Sequence, residues 1–160
     1  MPGKYVLAVD AGSSGCRSLI IDLKGNLVSS AYQEWFYDVT PPEVAPMGKE
    51  FNPGKFWDII CRLIRESIKK ADISPVDIIA VSSASQRQGV VFLDKKGHEL
   101  YAAPNTDLRA IMEGFAIDGE FGDEVYRTTG HKPSLLFTPA RLKWFQANYP
   151  RIYEKITTAL

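Results

Sequence analysis

The feature that most constrains the fold is a pair of apolar segments joined by small residues near the N-terminus. Val6–Val9 form a continuous apolar run that ends at Asp10, and a second apolar segment, Ser18–Ile21, follows. An uninterrupted apolar run of this length predicts a strand that is buried on both faces. The chain is therefore predicted to begin with a β-hairpin whose five-residue turn, 11–15, is longer than the two-residue turn that would suffice.

This turn carries groups that suit phosphate and metal-ion chemistry. Gly12 and Gly15 permit positive φ and let a ligand approach backbone N–H groups closely. Ser13 and Ser14 offer hydroxyls that hydrogen-bond phosphate oxygens. Asp10 can hold a hydrated divalent cation, and a charge at the end of a buried strand is costly without a partner. The alternative is a surface hairpin whose turn is merely polar.

Composition excludes several classes of function. The 160 residues include 19 basic and 19 acidic residues, so the basic excess that nucleic acid or an acidic membrane surface would need is missing. Cys16 and Cys61 show no CxxC spacing, which argues against a disulfide framework or a zinc site. No apolar stretch reaches the roughly 18 residues of a membrane span, and the N-terminus has no signal-peptide pattern. We expect a cytoplasmic protein without membrane or nucleic-acid partners.

The rest of the chain alternates between strand and helix patterns. Asn52 and Pro53 are typical of a helix start, and apolar residues at helical spacing follow as far as Ala71. The three prolines within 37–50 indicate a loop with no regular element. The apolar strand 77–81 is expected to be central in its sheet. The further predicted elements are a third strand at 27–36, strands at 90–93 and 99–102, a helix from Ile111 to a stop at Gly130, a helix at 140–148 capped by Thr138–Pro139, and a strand opening at 157.

A dense set of hydrogen-bonding side chains lies between the strands at 77–81 and 90–93. The predicted loop from Ser82 to Gly89 contains Gln86, Arg87 and Gln88. A guanidinium and two amides suit a polar binding pocket, and they equally suit a solvated loop. The residues alone leave both interpretations open.

Four segments together carry a resemblance to a known family. The pattern D-x-G-[ST]-[ST]-x-x-[KR] at 10–17 resembles the first phosphate-binding hairpin of the sugar kinase, Hsp70 and actin superfamily. The segment 86–89 lies where FGGY-family carbohydrate kinases carry sugar-contacting residues, and N-x-D-x-R at 105–109 lies where they have W-x-D-x-R. V-Y-R-T-T-G at 125–130, followed by R-L-K-W at 141–144, matches their T-G…K-L-x-W segment. The chain thus resembles the N-terminal part of an FGGY-family kinase from Tyr5 to Leu160.

The resemblance implies a fold and a domain organisation. The implied fold is a ribonuclease H-like α/β domain, with a mixed sheet that begins with an N-terminal β-meander and has flanking helices. Residues 1–160 would be an incomplete N-terminal domain. The family's catalytic base, second phosphate loop and adenosine motif would lie beyond Leu160, so this piece alone is expected to be inactive and to contain no catalytic base.

The resemblance also assigns roles to particular residues. Asp10 would hold Mg²⁺ through water, and Gly12, Ser13 and Ser14 would cradle phosphate oxygens of ATP. Arg17 would either neutralise phosphate charge or brace the hairpin. The residues implied for binding the sugar substrate are Gln86, Arg87, Gln88, Asp107 and Arg109, of which Asp107 and Arg109 would pair to shape the pocket floor or serve a structural role.

The implied reaction is transfer of the ATP γ-phosphoryl group to a hydroxyl of a small sugar or sugar-like substrate. The combination of D-A-G-S, S-x-R-x-G, N-x-D-x-R and E-V-Y-R-T-T-G looks most like the branch that contains autoinducer-2 kinases. The alternative subtype is a xylulokinase or another pentulose or polyol kinase. The alternative in another functional class is a non-catalytic interaction or regulatory module. A homodimer is left open.

Overall fold

The computed structural model describes residues 4–160, which form two compact units. The first unit comprises residues 4–36 together with Asn52–Gln86, and the second comprises Tyr37–Phe51 together with Arg87–Leu160. The elements in chain order are β1 Tyr5–Ala11, β2 Gly15–Asp22, β3 Leu27–Glu34, β4 Asp38–Val39, β5 Lys49–Glu50, α1 Pro53–Ala71, a 3₁₀ turn Pro75–Asp77, β6 Ile78–Ser85, β7 Val90–Leu93, β8 Glu99–Ala103, α2 Ile111–Thr129, α3 Thr138–Asn148, α4 Pro150–Tyr153 and β9 Thr158–Ala159.

The first unit is a four-stranded mixed sheet with the order β3-β2-β1-β6. β1, β2 and β3 form an antiparallel meander, and β6 pairs with β1 in parallel. The predicted mixed sheet that begins with a meander is confirmed. The turn between β1 and β2 is shorter than predicted, because both strands extend into the small-residue segment and leave only 12–14 outside them.

Helix α1 packs on β2 and β3 and starts as predicted. The Asn52 side chain accepts a hydrogen bond from the N–H of Lys55 at 2.9 Å, which caps the helix. In the contact with the sheet, the Ser67 hydroxyl lies 2.7 Å from the hydroxyl of Ser18, and both serines are fully buried. The Ser29 hydroxyl donates to the Ser67 carbonyl oxygen at 2.6 Å. Polar side chains in this helix–sheet layer therefore satisfy one another without water.

Two predictions about burial in this sheet are wrong. In β1 only Leu7 is fully buried, and its neighbours are half-exposed. β6 is an edge strand instead of a central one, with Ile79 53% and Val81 66% exposed. An apolar run leads to burial only where another element covers it, and within residues 4–160 β6 has a neighbouring strand on one side only.

The second unit is built around β7, which lies between β8 and β9 in an antiparallel sheet. The predicted strand near the C-terminal end of the chain is confirmed as β9. The segment 37–50 was predicted to contain no element, but it contains the two-stranded ribbon β4–β5. The buried core of this unit consists mainly of small and aromatic side chains, namely Ala45, Val90, Phe92, Tyr101, Ala103, Ala110, Ala140, Trp144 and Phe145.

The helices of the second unit follow the predicted pattern with one difference. α2 ends at Gly130, whose φ of 82° is the left-handed conformation expected of a C-terminal glycine. α3 begins at Thr138, two residues before the predicted start at 140, and its N-cap is Phe137 instead of the predicted Thr138. Phe145 of α3 packs edge-on against Tyr101 and Phe92, with ring centroids 4.9 and 5.8 Å apart. None of the helices in the described part of the chain has the length and apolarity to cross a membrane.

We expect Gly15→Ala to destabilise the first unit because β3 approaches this residue closely. An added Cβ would lie 2.5 Å from the Gln33 carbonyl oxygen and 2.9 Å from the Tyr32 hydroxyl. Overpacking of this kind costs about 1–3 kcal/mol, which urea unfolding would measure. Gly12→Ala is the matched control, because its Cβ would meet the Gly15 carbonyl oxygen at an ordinary 3.6 Å. Equal stabilities of the two variants would contradict this account.

Candidate functional site

The hairpin turn 12–14 places the predicted phosphate-binding residues together at one end of the β1–β2 pair. Asp10 lies directly opposite Arg17 across the two strands. Neither Gly12 nor Gly15 uses the positive φ that glycine permits, since the glycines with positive φ in residues 4–160 are Gly25, Gly97 and Gly130. The missing side chain of Gly15 lets strand β3, rather than a ligand, come close to the backbone at this position.

The Asp10 side chain lies at the surface. Asp10 is exposed, so the cost expected for an unpaired charge at the end of a buried strand does not arise. Strand β1 carries it past the covered part of the sheet, where the carboxylate remains hydrated. The pKa of the neighbouring Cys16 thiol is raised mainly by burial. The negative charge of Asp10 raises this pKa further. An exposed carboxylate can accept a hydrogen bond from a water molecule bound to a cation, and this contact requires little desolvation.

Trp35 anchors this turn, and the sequence analysis did not single it out. Its indole Nε1–H donates to the Gly12 carbonyl oxygen at 3.2 Å, and its backbone N–H donates to the Ser14 carbonyl oxygen at 3.2 Å. The indole is buried and stacks on the Phe56 ring of α1, with centroids 4.1 Å apart and planes 12° apart. Two peptide carbonyls of the turn are thereby held in fixed orientations. The only sequence signal was an aromatic residue near the end of the predicted strand 27–36.

The Arg17 side chain extends toward β3. Arg17 and Tyr32 are directly opposite in the β2–β3 pair, and the guanidinium carbon lies 5.3 Å from the centre of the tyrosine ring. A cation in this position is attracted by the face of the ring. This contact favours the bracing role over charge neutralisation.

The described residues offer one carboxylate at this turn rather than a preformed metal site. Among residues 4–160 there is no group of three or more His, Cys, Asp or Glu side chains arranged to hold a metal ion. A lone hydrated carboxylate is the donor expected for Mg²⁺, which keeps most of its water ligands and binds one or two carboxylates together with phosphates. The donor set of the turn therefore fits a magnesium–nucleotide complex and does not fit a closed protein cage.

The predicted substrate loop is shorter than the sequence indicated because β6 continues to Ser85. Gln86 is half-buried, and its N–H donates to the Ala11 carbonyl oxygen at 3.0 Å in the first unit. Arg87 and Gln88 form a turn at the start of the second unit, and both are exposed. Gln88 has a φ of 61°, a left-handed conformation that is uncommon outside glycine.

Asp107 and Arg109 form a buried ion pair, as one of the two predicted roles requires. Their side chains are 0% and 3% exposed, and the Arg109 Nε lies 2.9 Å from Oδ2 of Asp107. The Arg109 Nη2 also donates to Oε1 of Glu50 at 2.8 Å and to the hydroxyl of Thr40 at 3.3 Å. The guanidinium lies over the Tyr101 ring, 4.7 Å from its centre.

The carboxylate of Asp107 is surrounded by protein donors. Its Oδ1 accepts from the backbone N–H of Lys49 at 2.9 Å, and its Oδ2 accepts from the Tyr101 hydroxyl. Burial, together with the negative charge of Asp107, raises the pKa of the Tyr101 phenol, so the phenol stays protonated as a donor. Asp107 is therefore placed to organise the second unit, and a ligand would reach it only by displacing these donors.

Arg141 is a second buried arginine near this carboxylate, and the sequence analysis noted it only as part of a motif. Its side chain is 1% exposed, and its Nε lies 3.7 Å from Oδ2 of Asp107. The other guanidinium nitrogens donate to the carbonyl oxygens of Gln88 at 2.6 Å and Pro104 at 2.7 Å. An arginine on one face of a helix gives no sequence signal of this contact, because the two carbonyls are 53 and 37 residues away.

Comparisons with known proteins identify relatives for the whole of this chain. The family model described as "FGGY family of carbohydrate kinases, N-terminal domain" matches residues 5–160. An autoinducer-2 kinase from Salmonella typhimurium is 36% identical in an alignment of 160 positions that covers 98% of this chain and 30% of that kinase. The chain therefore spans less than a third of the length of that relative.

Solved structures share the fold. The crystal structure of a gluconate kinase from Lactobacillus acidophilus superposes with a TM-score of 0.83 at 20% identity, over 99% of this chain and 31% of that one. A ligand-bound xylulose kinase from the same organism gives a TM-score of 0.82 at 20% identity, over 98% of this chain and 31% of that one. The predicted ribonuclease H-like fold of the sugar kinases is thus confirmed.

We expect the conservative change Asp107→Asn to lower the free energy of unfolding strongly. Asp107→Asn removes the charge that balances the two buried arginines and presents an amide to their donors. Breaking a buried ion pair in this way costs about 3 kcal/mol or more in free energy of unfolding. The control is Asp123→Asn, which removes a carboxylate that is 88% exposed and bound only to Lys132. Urea unfolding of both variants checks the prediction, and an Asp107→Asn midpoint equal to that of the control would refute it.

Proposed function

Because the chain belongs to the FGGY family of carbohydrate kinases, we propose that it forms the N-terminal part of an ATP-dependent kinase. The complete protein would transfer the γ-phosphoryl group of ATP to a hydroxyl of a small sugar or sugar-like acceptor. The observation that carries the proposal is the continuous match to the family over residues 5–160. Phosphoryl transfer depends mainly on positioning and charge stabilisation, and the exposed polar residues described above suit that task.

The nucleotide side of the reaction is assigned to the β1–β2 turn. Asp10 would hold a magnesium ion through a water ligand, and this ion neutralises phosphate charge when it is bound. Ser13 and Ser14 would donate hydroxyl hydrogen bonds to phosphate oxygens, and Gly12 would leave room for them. Two turn carbonyls are committed to Trp35, so we propose that the turn is held rigid before the nucleotide arrives. Arg17 would brace the hairpin through Tyr32.

The acceptor side is assigned to the residues that follow β6. The amides of Gln86 and Gln88 and the guanidinium of Arg87 would hydrogen-bond the hydroxyls of the acceptor, which discriminates against analogues that lack those hydroxyls. We infer that Asp107 and Arg109 serve the acceptor site as a buried support rather than as direct ligands. Their side chains are almost fully buried and already bonded to protein groups.

The identity of the acceptor is open to a direct test. The relative at 36% identity is an autoinducer-2 kinase, and the structural neighbours are named for gluconate and xylulose. The complete protein should therefore be assayed with ATP, Mg²⁺ and a panel that includes autoinducer-2, xylulose and gluconate. Acceptor-dependent ADP release supports the kinase and selects the subtype. No turnover with any acceptor, together with no nucleotide binding, would favour a non-catalytic module.

Asp10→Ala in the complete enzyme should lower kcat by ~10²-fold or more, the scale of one strong electrostatic contact in a transition state. The fold should persist because Asp10 is exposed. Steady-state kinetics with circular dichroism checks both statements. Asp58→Ala replaces an exposed aspartate on α1 of the same unit and should leave kcat unchanged. Wild-type kcat in folded Asp10→Ala would remove Asp10 from the mechanism.

Arg87→Ala and Gln88→Ala should raise KM for the acceptor and leave KM for ATP almost unchanged. Each variant loses a hydrogen-bonding group toward the acceptor, which costs ~1.5–3 kcal/mol where a charged group is involved, or roughly ten- to a hundredfold in kcat/KM. Lys95→Ala, at an exposed position in the β7–β8 turn, is the control. Unchanged acceptor kcat/KM in both variants would mean that this turn is a solvated loop and that the substrate site lies elsewhere.

A further inference from the structure

Arg141 clamps the backbone of the turn that contains Arg87 and Gln88. Its guanidinium donates from Nη1 to the Gln88 carbonyl oxygen at 2.6 Å and from Nη2 to the Pro104 carbonyl oxygen at 2.7 Å. Both bonds come from a charged donor, which makes them about twice as strong as neutral ones. One side chain thus ties the start of the second unit to the segment that follows β8.

The carbonyl that Arg141 binds belongs to the residue with the unusual backbone. Gln88 has a φ of 61°, a backbone conformation that residues other than glycine, asparagine and aspartate rarely adopt. Such a conformation persists only where the surrounding structure enforces it. The Gln88 side chain is exposed, so packing of that side chain does not hold the backbone at this φ. The bond from Arg141 to the Gln88 carbonyl oxygen is a restraint of the required kind.

The position of Arg141 is in turn set by charge. Its side chain is 1% exposed, and a buried guanidinium needs a counterion. Asp107 supplies the negative charge 3.7 Å from Nε, although that nitrogen has no hydrogen-bond acceptor among the described residues. Arg109, the Tyr101 hydroxyl and the Lys49 N–H hold Asp107 in place. The restraint therefore passes from a rigid carboxylate through Arg141 to the turn.

We propose that Arg141 is a positioning residue for acceptor binding. By fixing the left-handed backbone of Gln88, it presets the directions in which the Arg87 and Gln88 side chains leave the turn. This inference rests on the proposed role of those two side chains in binding the acceptor. Preorganisation of this kind lowers the entropy lost when the acceptor binds, so it acts on acceptor affinity rather than on the nucleotide.

The test is Arg141→Met in the complete protein, which keeps an unbranched side chain in the core and removes both carbonyl bonds. We expect the acceptor KM to rise about tenfold or more, with the ATP KM unchanged, since a charged hydrogen bond is worth roughly that factor. Hydrogen–deuterium exchange of the backbone amides at 86–90 should become faster. Arg141→Lys keeps the charge but reaches fewer carbonyl oxygens, so it should fold and show a smaller rise in acceptor KM.

The matched control is Phe145→Leu, which also disturbs the core from α3 but has no contact with the turn among its ring contacts. It should lose stability without a change in the acceptor KM or in the exchange at 86–90. An equal rise in acceptor KM in Phe145→Leu and Arg141→Met would overturn the inference, because the effect would then be general destabilisation. Wild-type acceptor KM in Arg141→Met also overturns it, as does wild-type acceptor KM in Arg141→Lys if the methionine variant fails to fold.

Failure of the proposed function gives a different result from failure of this inference. If the wild-type protein phosphorylates no acceptor, the proposed function fails, and the exchange measurement alone decides the role of Arg141. Faster exchange at 86–90 in Arg141→Met but not in Phe145→Leu would then uphold the positioning role. Unchanged exchange in Arg141→Met would overturn it.

Discussion

The second unit depends on a single buried carboxylate. Asp107 accepts hydrogen bonds from β5, from Tyr101 of β8 and from Arg109, and it faces Arg141 of α3. A charge in such a position is stable only while its partners stay in place, and its removal leaves two guanidinium groups without enough compensation. The β4–β5 ribbon, the sheet that contains β8 and helix α3 thus all contact the Asp107 carboxylate. The aromatic core around Phe145 packs beside this cluster and supplies the apolar burial that the ions do not.

The first unit holds its turn through aromatic side chains. Trp35 donates to two carbonyl oxygens of the 12–14 turn and stacks on Phe56, while Arg17 lies over Tyr32. These contacts leave the Asp10 carboxylate hydrated and exposed. The two units therefore share one principle. In each unit, buried contacts hold the backbone of a short turn, and the polar side chains that we propose bind ligands stand outside on that support.

This division of labour bears on how the proposed activity would tolerate mutation. Exposed side chains such as Asp10 and Arg87 can be replaced at little cost in stability, so their variants report on function. Buried residues such as Asp107 and Arg141 combine support and stability, and their variants need controls of matched stability. The distinction follows from desolvation: a group in water loses little when it is truncated, whereas a buried charge leaves its partner unpaired.

The sequence by itself determined the family and most of the local elements. The D-x-G-S-S pattern, the Asn52 cap and the Gly130 stop are local signals, because each depends on residues a few positions apart. Tertiary structure alone decided that Asp10 is exposed, that β6 is an edge strand within residues 4–160 and that Gly15 is needed for the approach of β3. It also decided the contact of Arg141 with the Gln88 carbonyl oxygen, which is 53 residues away. Burial and ion pairing depend on contacts between segments that are distant in sequence, and local periodicity does not reveal these contacts.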